Sequence, residues 1–132
     1  MQLGGSTMTA LGWHWMATAE GCHLTAITDL KLISELLIKL SLVAELTPVS
    51  SPLVQTAEAG PVGVILLAES HASIHVNCAT RTVFVDIFSC TYFSAVNACQ
   101  VLRSALHPQT INERYLERGS VEPQLETASR ES

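Results

Sequence analysis

Near the middle of the chain, Glu69, Ser70, His71 and His75 stand together in the stretch Ala68-Glu69-Ser70-His71-Ala72-Ser73-Ile74-His75. Ser70 directly follows an acidic residue at the end of the apolar run Val62-Gly63-Val64-Ile65-Leu66-Leu67, a placement that suits a reactive centre. A serine hydroxyl is a nucleophile once a base takes its proton, and histidine, with a pKa near neutrality, is well suited to move protons. Read without any wider pattern, Ser70 is a turn serine and His75 a half-buried strand histidine, the commoner role of each type. A shared metal is disfavoured, because His71 and His75 on one extended strand stand roughly 13 Å apart at about 3.3 Å per residue. Cys90, taken alone, is small core filler at a strand end.

Composition bounds what these residues can serve. The 132 residues suit one domain, and 48% apolar content with a mean hydropathy of +0.31 supports a real core. Seven basic residues against twelve acidic ones, a formal net charge of −5 and no basic run argue against a nucleic-acid partner. The strongest apolar stretch, Leu32 to Leu46, is broken by Glu35, Lys39 and Glu45, so no membrane span is expected, and no signal-peptide pattern is seen. Cys22, Cys78, Cys90 and Cys99 show no paired spacing and are expected as free thiols in a reducing, cytoplasmic compartment.

The elements that must position the serine follow from periodicity. Trp13, Trp15 and Ala17 alternate with His14, Met16 and Thr18, which predicts a first strand ending at Gly21. From Asp29, the spacing of Leu30, Ile33, Leu36, Leu37, Leu40, Val43 and Ala44 predicts a helix, with Thr28 or Asp29 as its cap and Pro48 beyond its end. Leu53–Thr56, Val62–Glu69, Ser73–Val76 and Thr82–Phe88 read as strands, with a kink near Ser70. A second helix over Ala95–Leu106 stops before Pro108, an edge strand spans Thr110–Leu116, and the polar residues 120–132 read as a disordered tail. The expected fold is α+β: a two-layer sandwich with two helices on one face of an antiparallel sheet, in a single domain over residues 1–119. Strand 82–88 is apolar on both parities apart from Asp86, so its other face is expected to pack on a second copy, giving a homodimer or higher oligomer.

The placed motifs carry a resemblance. Gly12-x-His14, Gly21-Cys22, Gly63-Val64, Ala68-Glu69-Ser70-His71-x-Ser73-Ile74-His75 and Val85-Asp86-Ile87-Phe88-Ser89-Cys90 run in the order and spacing of the short prokaryotic S-adenosylmethionine decarboxylase proenzymes, from about Gly12 to Gly119. The resemblance implies the fold of that family and a self-cleaving, pyruvoyl-dependent decarboxylase of polyamine (spermidine) synthesis. It implies that Ser70 attacks the carbonyl of Glu69, that His75 is the base of the processing step, and that the chain breaks into a β chain, 1–69, and an α chain, 70–132. Ser70 then becomes the pyruvoyl group, which forms a Schiff base with the amine of an amino-acid-type substrate and accepts electrons as CO₂ leaves, without metal or PLP. Cys90 maps to the proton donor of that reaction.

Departures from the family bear on the substrate. Asn77 and Ala79 stand where the family usually has Trp and Glu, the latter's carboxylate suited to a ribose diol, and Thr56 stands where an aromatic stacks on adenine. These three are the expected substrate-binding positions. Their loss makes L-arginine or L-ornithine an alternative substrate of equal standing to S-adenosylmethionine. Val62 replaces a Ser or Thr associated with self-processing and Thr91 replaces a Gly, changes that imply slow cleavage, and Val62 keeps a non-catalytic regulatory paralogue as a remote alternative.

Overall fold

The computed structural model describes residues 9–120. The expected tail, apart from Ser120, lies outside the described residues. The elements are β1 (Gly12–Glu20), α1 (Leu24–Ile27), α2 (Leu30–Val43), β2 (Leu53–Thr56), β3 (Pro61–Leu67), β4 (Ser70–Asn77), β5 (Thr82–Ser89), α3 (Ala98–Leu106) and β6 (Thr110–Arg118). All six strands join one antiparallel sheet in the order β2-β3-β4-β5-β1-β6.

Alternation along the strands divides the sheet into two unlike faces. Trp15, Ala17 and Ala19 on β1, Ile65 and Leu67 on β3, Ala72, Ile74 and Val76 on β4, and Val83, Val85 and Ile87 on β5 form one buried layer. Against it lie Ile33, Leu36, Leu37 and Leu40 of α2 and Ala98, Cys99, Leu102 and Leu106 of α3. Asp29 caps α2, its carboxylate accepting the N–H groups of Lys31 and Leu32 at 3.0 and 3.2 Å, worth about 0.5–2 kcal/mol to the helix. Gly63 lets the helix approach the sheet: a Cβ there would stand 2.9 Å from Leu37 Cδ1.

Among the described residues no helix lies over the opposite face. Its rows run His14–Phe88–His71–Leu66, Met16–Asp86–Ser73–Val64 and Thr18–Phe84–His75–Val62 across β1, β5, β4 and β3. Leu53, Leu66 and Phe84 are 60%, 55% and 45% exposed there. The two-sided apolar character of strand 82–88 thus has Val83, Val85 and Ile87 turned to the helices and Phe84 and Phe88 to this open face.

Three local readings differ from the sequence expectation. The strand expected to reach Glu69 ends at Leu67, because Ala68 and Glu69 form a two-residue turn rather than a kink, and β4 starts at Ser70 itself. The second helix begins at Ala98, since Ala95 belongs to the turn before it and accepts the Ala98 N–H at 3.0 Å. The four-residue α1 was not expected, being too short to show a period.

Burial holds two thiols in their neutral form: Cys22 is pushed up from 9.0 to about 11, and Cys99 likewise, with the Glu113 carboxylate adding to the effect of burial. A raised folded-state pKa contributes stability that is fully present below 9.0 and is lost as pH rises toward about 11. Denaturant melts across that range are expected to show stability falling with pH, while iodoacetamide at pH near 8 modifies the exposed Cys90 and leaves Cys22 and Cys99 intact; equal labelling of all three is the contrary result. Leu37→Ala, at a fully buried contact between α2 and the sheet, is expected to lower the unfolding free energy by about 2–5 kcal/mol in urea. A loss under 1 kcal/mol, in the range of surface substitutions, would mean that α2 does not hold this packing.

Candidate active site

The β3–β4 hairpin turns on Ala68 and Glu69, with Leu67 and Ser70 as the closing pair. Of the two turn residues only Glu69 has a positive φ, +59°. Favoured two-residue hairpins place positive φ at the first central residue or at both, usually on Gly, Asn or Asp. A glutamate in the left-handed region costs about 1–2 kcal/mol, so neighbouring contacts must hold it. They do so from two sides: Ala68 N–H donates to Thr47 O at 2.9 Å, and Cys90 N–H donates to Glu69 O at 3.0 Å. The Glu69–Ser70 peptide is therefore a fixed, disfavoured turn whose carbonyl oxygen already meets a hydrogen-bond donor.

The serine hydroxyl beside it is nearly buried. Ser70 Oγ donates to Ser89 Oγ at 2.6 Å, with Ala68 O as a second acceptor at 3.2 Å. Ser89, fully buried on the adjacent β5, accepts Thr91 N–H at 3.0 Å and lies 3.0 Å from Thr91 Oγ1. Three hydroxyls thus form a chain leading away from Ser70, a path along which its proton can shift as Oγ becomes a nucleophile. The Cys90 N–H stands where a tetrahedral intermediate at Glu69 would place its oxyanion. The Cys90 side chain itself is exposed at the end of β5.

The other expected residues gather elsewhere. His75 lies five positions along β4 from Ser70, roughly 16 Å at about 3.3 Å per residue, and an odd separation puts it on the opposite face. It lines a shallow open-face recess of about 290 Å³ with Val62, Ser73, Phe84 and Asp86. Thr56 pairs with Pro61 at the same end of the sheet. Asn77 Oδ1 accepts Thr80 N–H at 3.1 Å, closing the β4–β5 turn that contains Ala79. This turn is tied to the β2–β3 turn by Cys78 N–H to Ala59 O at 2.8 Å. One protomer therefore brings Glu69, Ser70 and Cys90 together and leaves His75, Thr56, Asn77 and Ala79 at the far end of β4.

Between the two ends, on the open face, His14 Nε2 meets Asp86 Oδ1 at 3.0 Å. Arg118 lies 3.5 Å from His14 Nδ1 and stacks 4.8 Å from the Phe88 ring centre. Arginine can only donate, so Nδ1 accepts and Nε2 carries the proton toward Asp86. Sequence reasoning gave Ser89 no role and read Thr91 only as a departure from a family Gly. Their only signal was position, Ser89 one residue before Cys90 and Thr91 one after it, because a buried hydroxyl chain depends on cross-strand register that spacing alone does not fix.

A profile of the S-adenosylmethionine decarboxylase family matches residues 13–119. The S-adenosylmethionine decarboxylase proenzyme of Aquifex aeolicus is 37% identical over 113 residues, covering 85% of this chain and 84% of that one. That of Hydrogenobaculum is 36% identical over 113 residues with the same coverage, and that of Moorella thermoacetica is 29% identical over 117 residues, 88% of this chain and 94% of the relative. The crystal structure of the adenosylmethionine decarboxylase from Aquifex aeolicus superposes with a TM-score of 0.74 at 33% identity, over 86% of this chain and 95% of that one. With nearly the whole described fold and both ends of the Glu69–Ser70 turn inside the matched span, the chain belongs to the S-adenosylmethionine decarboxylase family.

Proposed function

We propose that this chain cuts itself between Glu69 and Ser70 and then acts as a pyruvoyl-dependent carboxy-lyase on S-adenosylmethionine, feeding polyamine synthesis. The observation that carries the reading is the Glu69 carbonyl, set in a left-handed turn beside the Ser70 hydroxyl and met by the Cys90 N–H at 3.0 Å. The substrate assignment rests on the names of the relatives.

Processing proceeds in balanced steps. Ser70 Oγ attacks the Glu69 carbonyl carbon as its proton is handed to Ser89 Oγ, and Cys90 N–H holds the transient oxyanion; the peptide C–N bond then breaks as the Ser70 nitrogen takes that proton back from the hydroxyl chain, leaving an ester and a free amine. A base removes the Ser70 α-proton, the Cβ–Oγ bond breaks as the Cα=Cβ double bond forms, and Glu69 leaves with both oxygens as the carboxylate terminus of a β chain, 1–69. The dehydroalanine left at residue 70 adds water and releases ammonia, so the α chain begins with a ketone. That group supplies an electron sink for the departing carboxylate. Cys90, whose N–H meets Glu69 O and whose side chain is exposed, returns a proton to the substrate carbon in this reading.

The base is His75 of a second copy. Within one copy His75 lies roughly 16 Å along β4 from Ser70 at about 3.3 Å per residue, too far to reach its α-proton. The uncovered apolar face and the separation of the two residue groups to opposite ends of β4 both fit a two-fold pairing of open faces, which sets each Ser70 end against the partner's His75 end. The free thiols fit a reducing, cytoplasmic setting.

A second reading keeps this chemistry and changes the substrate. Thr56 offers no ring, Ala79 no carboxylate, and the Asn77 side-chain oxygen is already engaged by Thr80, which favours a smaller amino acid such as L-arginine or L-ornithine. Release of CO₂ from the three substrates, measured side by side, separates the readings: turnover of S-adenosylmethionine alone removes the second.

Ser70→Ala is expected to abolish both cleavage and CO₂ release, leaving a single band on a denaturing gel. A wild-type chain that also stays uncut would instead support the regulatory paralogue, for which Val62 opposite His75 is the motif. When Ser70→Ala and His75→Ala chains are co-expressed with different tags, the His75→Ala chain alone is expected to be cut. If it stays whole beside its partner, the base does not come from the second copy.

A further inference from the structure

A serine hydroxyl has one proton to give and two lone pairs to fill, and at Ser89 that count decides what Ser70 can do. Thr91 N–H donates to Ser89 Oγ at 3.0 Å and fills one lone pair. Ser70 Oγ at 2.6 Å and Thr91 Oγ1 at 3.0 Å then divide the other lone pair and the proton between them. Two arrangements of the three hydroxyl protons satisfy these contacts. In the outward one, Ser70 donates to Ser89 and Ser89 donates to Thr91. In the inward one, Thr91 donates to Ser89, Ser89 donates to Ser70, and the Ser70 proton turns to Ala68 O at 3.2 Å, longer than the roughly 2.5–3.0 Å of a good O–H···O bond. Ser89 is 0% exposed, so bulk water does not enter this choice.

The two arrangements differ in reactivity. Outward, Ser70 points its proton at a lone pair that can take it and keeps its own lone pairs for the Glu69 carbonyl carbon. Inward, the proton rests on an amide oxygen, a very weak base, and Ser89 occupies a Ser70 lone pair. What favours the outward chain is an acceptor at its far end, and that acceptor is Thr91 Oγ1. Thr91 is exposed, so its own proton can go to water. We propose that Thr91 is a positioning residue for self-cleavage: by accepting the Ser89 O–H it turns the Ser89 lone pair toward Ser70 and gives the hydroxyl chain its outlet to solvent. The proposal rests on the cleavage reading above and adds a residue to it. As the Ser70 Oγ–C bond forms, Ser89 takes the Ser70 proton and passes its own to Thr91, which passes one to water; as the C–N bond breaks, the reverse shift protonates the Ser70 nitrogen, so the chain ends with the protons it began with. The backbone of Thr91 has a separate task. Its N–H bridges to Ser89 Oγ across Cys90, steadying the turn that presents Cys90 N–H to Glu69 O at 3.0 Å. A change of side chain at 91 therefore removes the outlet and leaves the oxyanion donor.

The test compares Thr91, Thr91→Val, which keeps the shape and loses the hydroxyl, and Thr91→Ser, which keeps the hydroxyl, each in a full-length His75→Ala chain. Without the base that removes the α-proton, such a chain stops at the ester. Hydroxylamine at neutral pH cuts an ester and spares peptide bonds, so release of the 1–69 fragment from freshly synthesised chain times the acyl shift alone. Thr91→Val is expected to release it about tenfold more slowly, the weight of one oriented hydrogen bond in a rate, while Thr91→Ser keeps the rate of Thr91. Circular dichroism of the three purified chains is expected to be the same. Equal rates for Thr91 and Thr91→Val, or a Thr91→Ser chain as slow as Thr91→Val, would overturn the proposal and leave the cleavage reading standing. If hydroxylamine releases nothing even with Thr91 in place, the cleavage reading fails and takes this one with it.

Discussion

The left-handed backbone of Glu69 is the constraint around which the rest of this molecule is arranged. A side-chain-bearing residue stays there only if its surroundings leave no alternative. The Thr47–Ser50 segment supplies one boundary, through Ala68 N–H to Thr47 O, Val49 N–H to Leu66 O and Leu66 N–H to Ser50 Oγ. The end of β5 supplies the other, through Cys90 N–H. Both boundaries are anchored to the core, the first by the end of α2 and buried Leu46, the second by the buried Ile87 and Ser89. Helix packing and the left-handed turn at Glu69 are in this way parts of one mechanical system.

The two sheet faces divide the labour. One is apolar and closed by helices, and it fixes register; a one-residue slip of β4 would turn Ser70 out and His71 in, ending the hydroxyl chain to Ser89. The other mixes Phe84, Phe88 and Leu66 with His14, Asp86, His71 and His75. A surface that mixes exposed apolar and ionisable groups is of the kind that suits association, the charges setting orientation. The edge at β6 is guarded differently: among the described residues no strand pairs beyond it, and Glu113, Arg114, Glu117 and Arg118 along it discourage addition of a further strand.

Much of this was legible in the residues. Helical spacing from Leu30 and the β-branched and aromatic run over 82–88 are local signals, and both gave the observed elements to within a residue or two. The reactive turn was visible as Glu69-Ser70 at the end of an apolar run, but its shape was not, since nothing in the sequence says that a glutamate will take positive φ. Cross-strand facts were the least accessible: Ser89 meets Ser70 only because β4 and β5 pair in one register, and His75 lies apart from Ser70 because five positions on a strand reverse the face. Nearness in sequence made the serine and histidine look like one site, and the pleat separates them.

The strand order has a result for what a backbone break would leave. Severed after residue 69, the molecule would consist of one piece holding β1, β2 and β3 and another holding β4, β5 and β6, and in the order β2-β3-β4-β5-β1-β6 the first piece's β1 is wedged between β5 and β6 of the second. Neither fragment owns a contiguous sheet. Separating them means tearing three inter-strand ladders at once, so the nicked protein would persist as an interlocked pair, with its new amino terminus caught in the middle of the sheet rather than dangling from its rim.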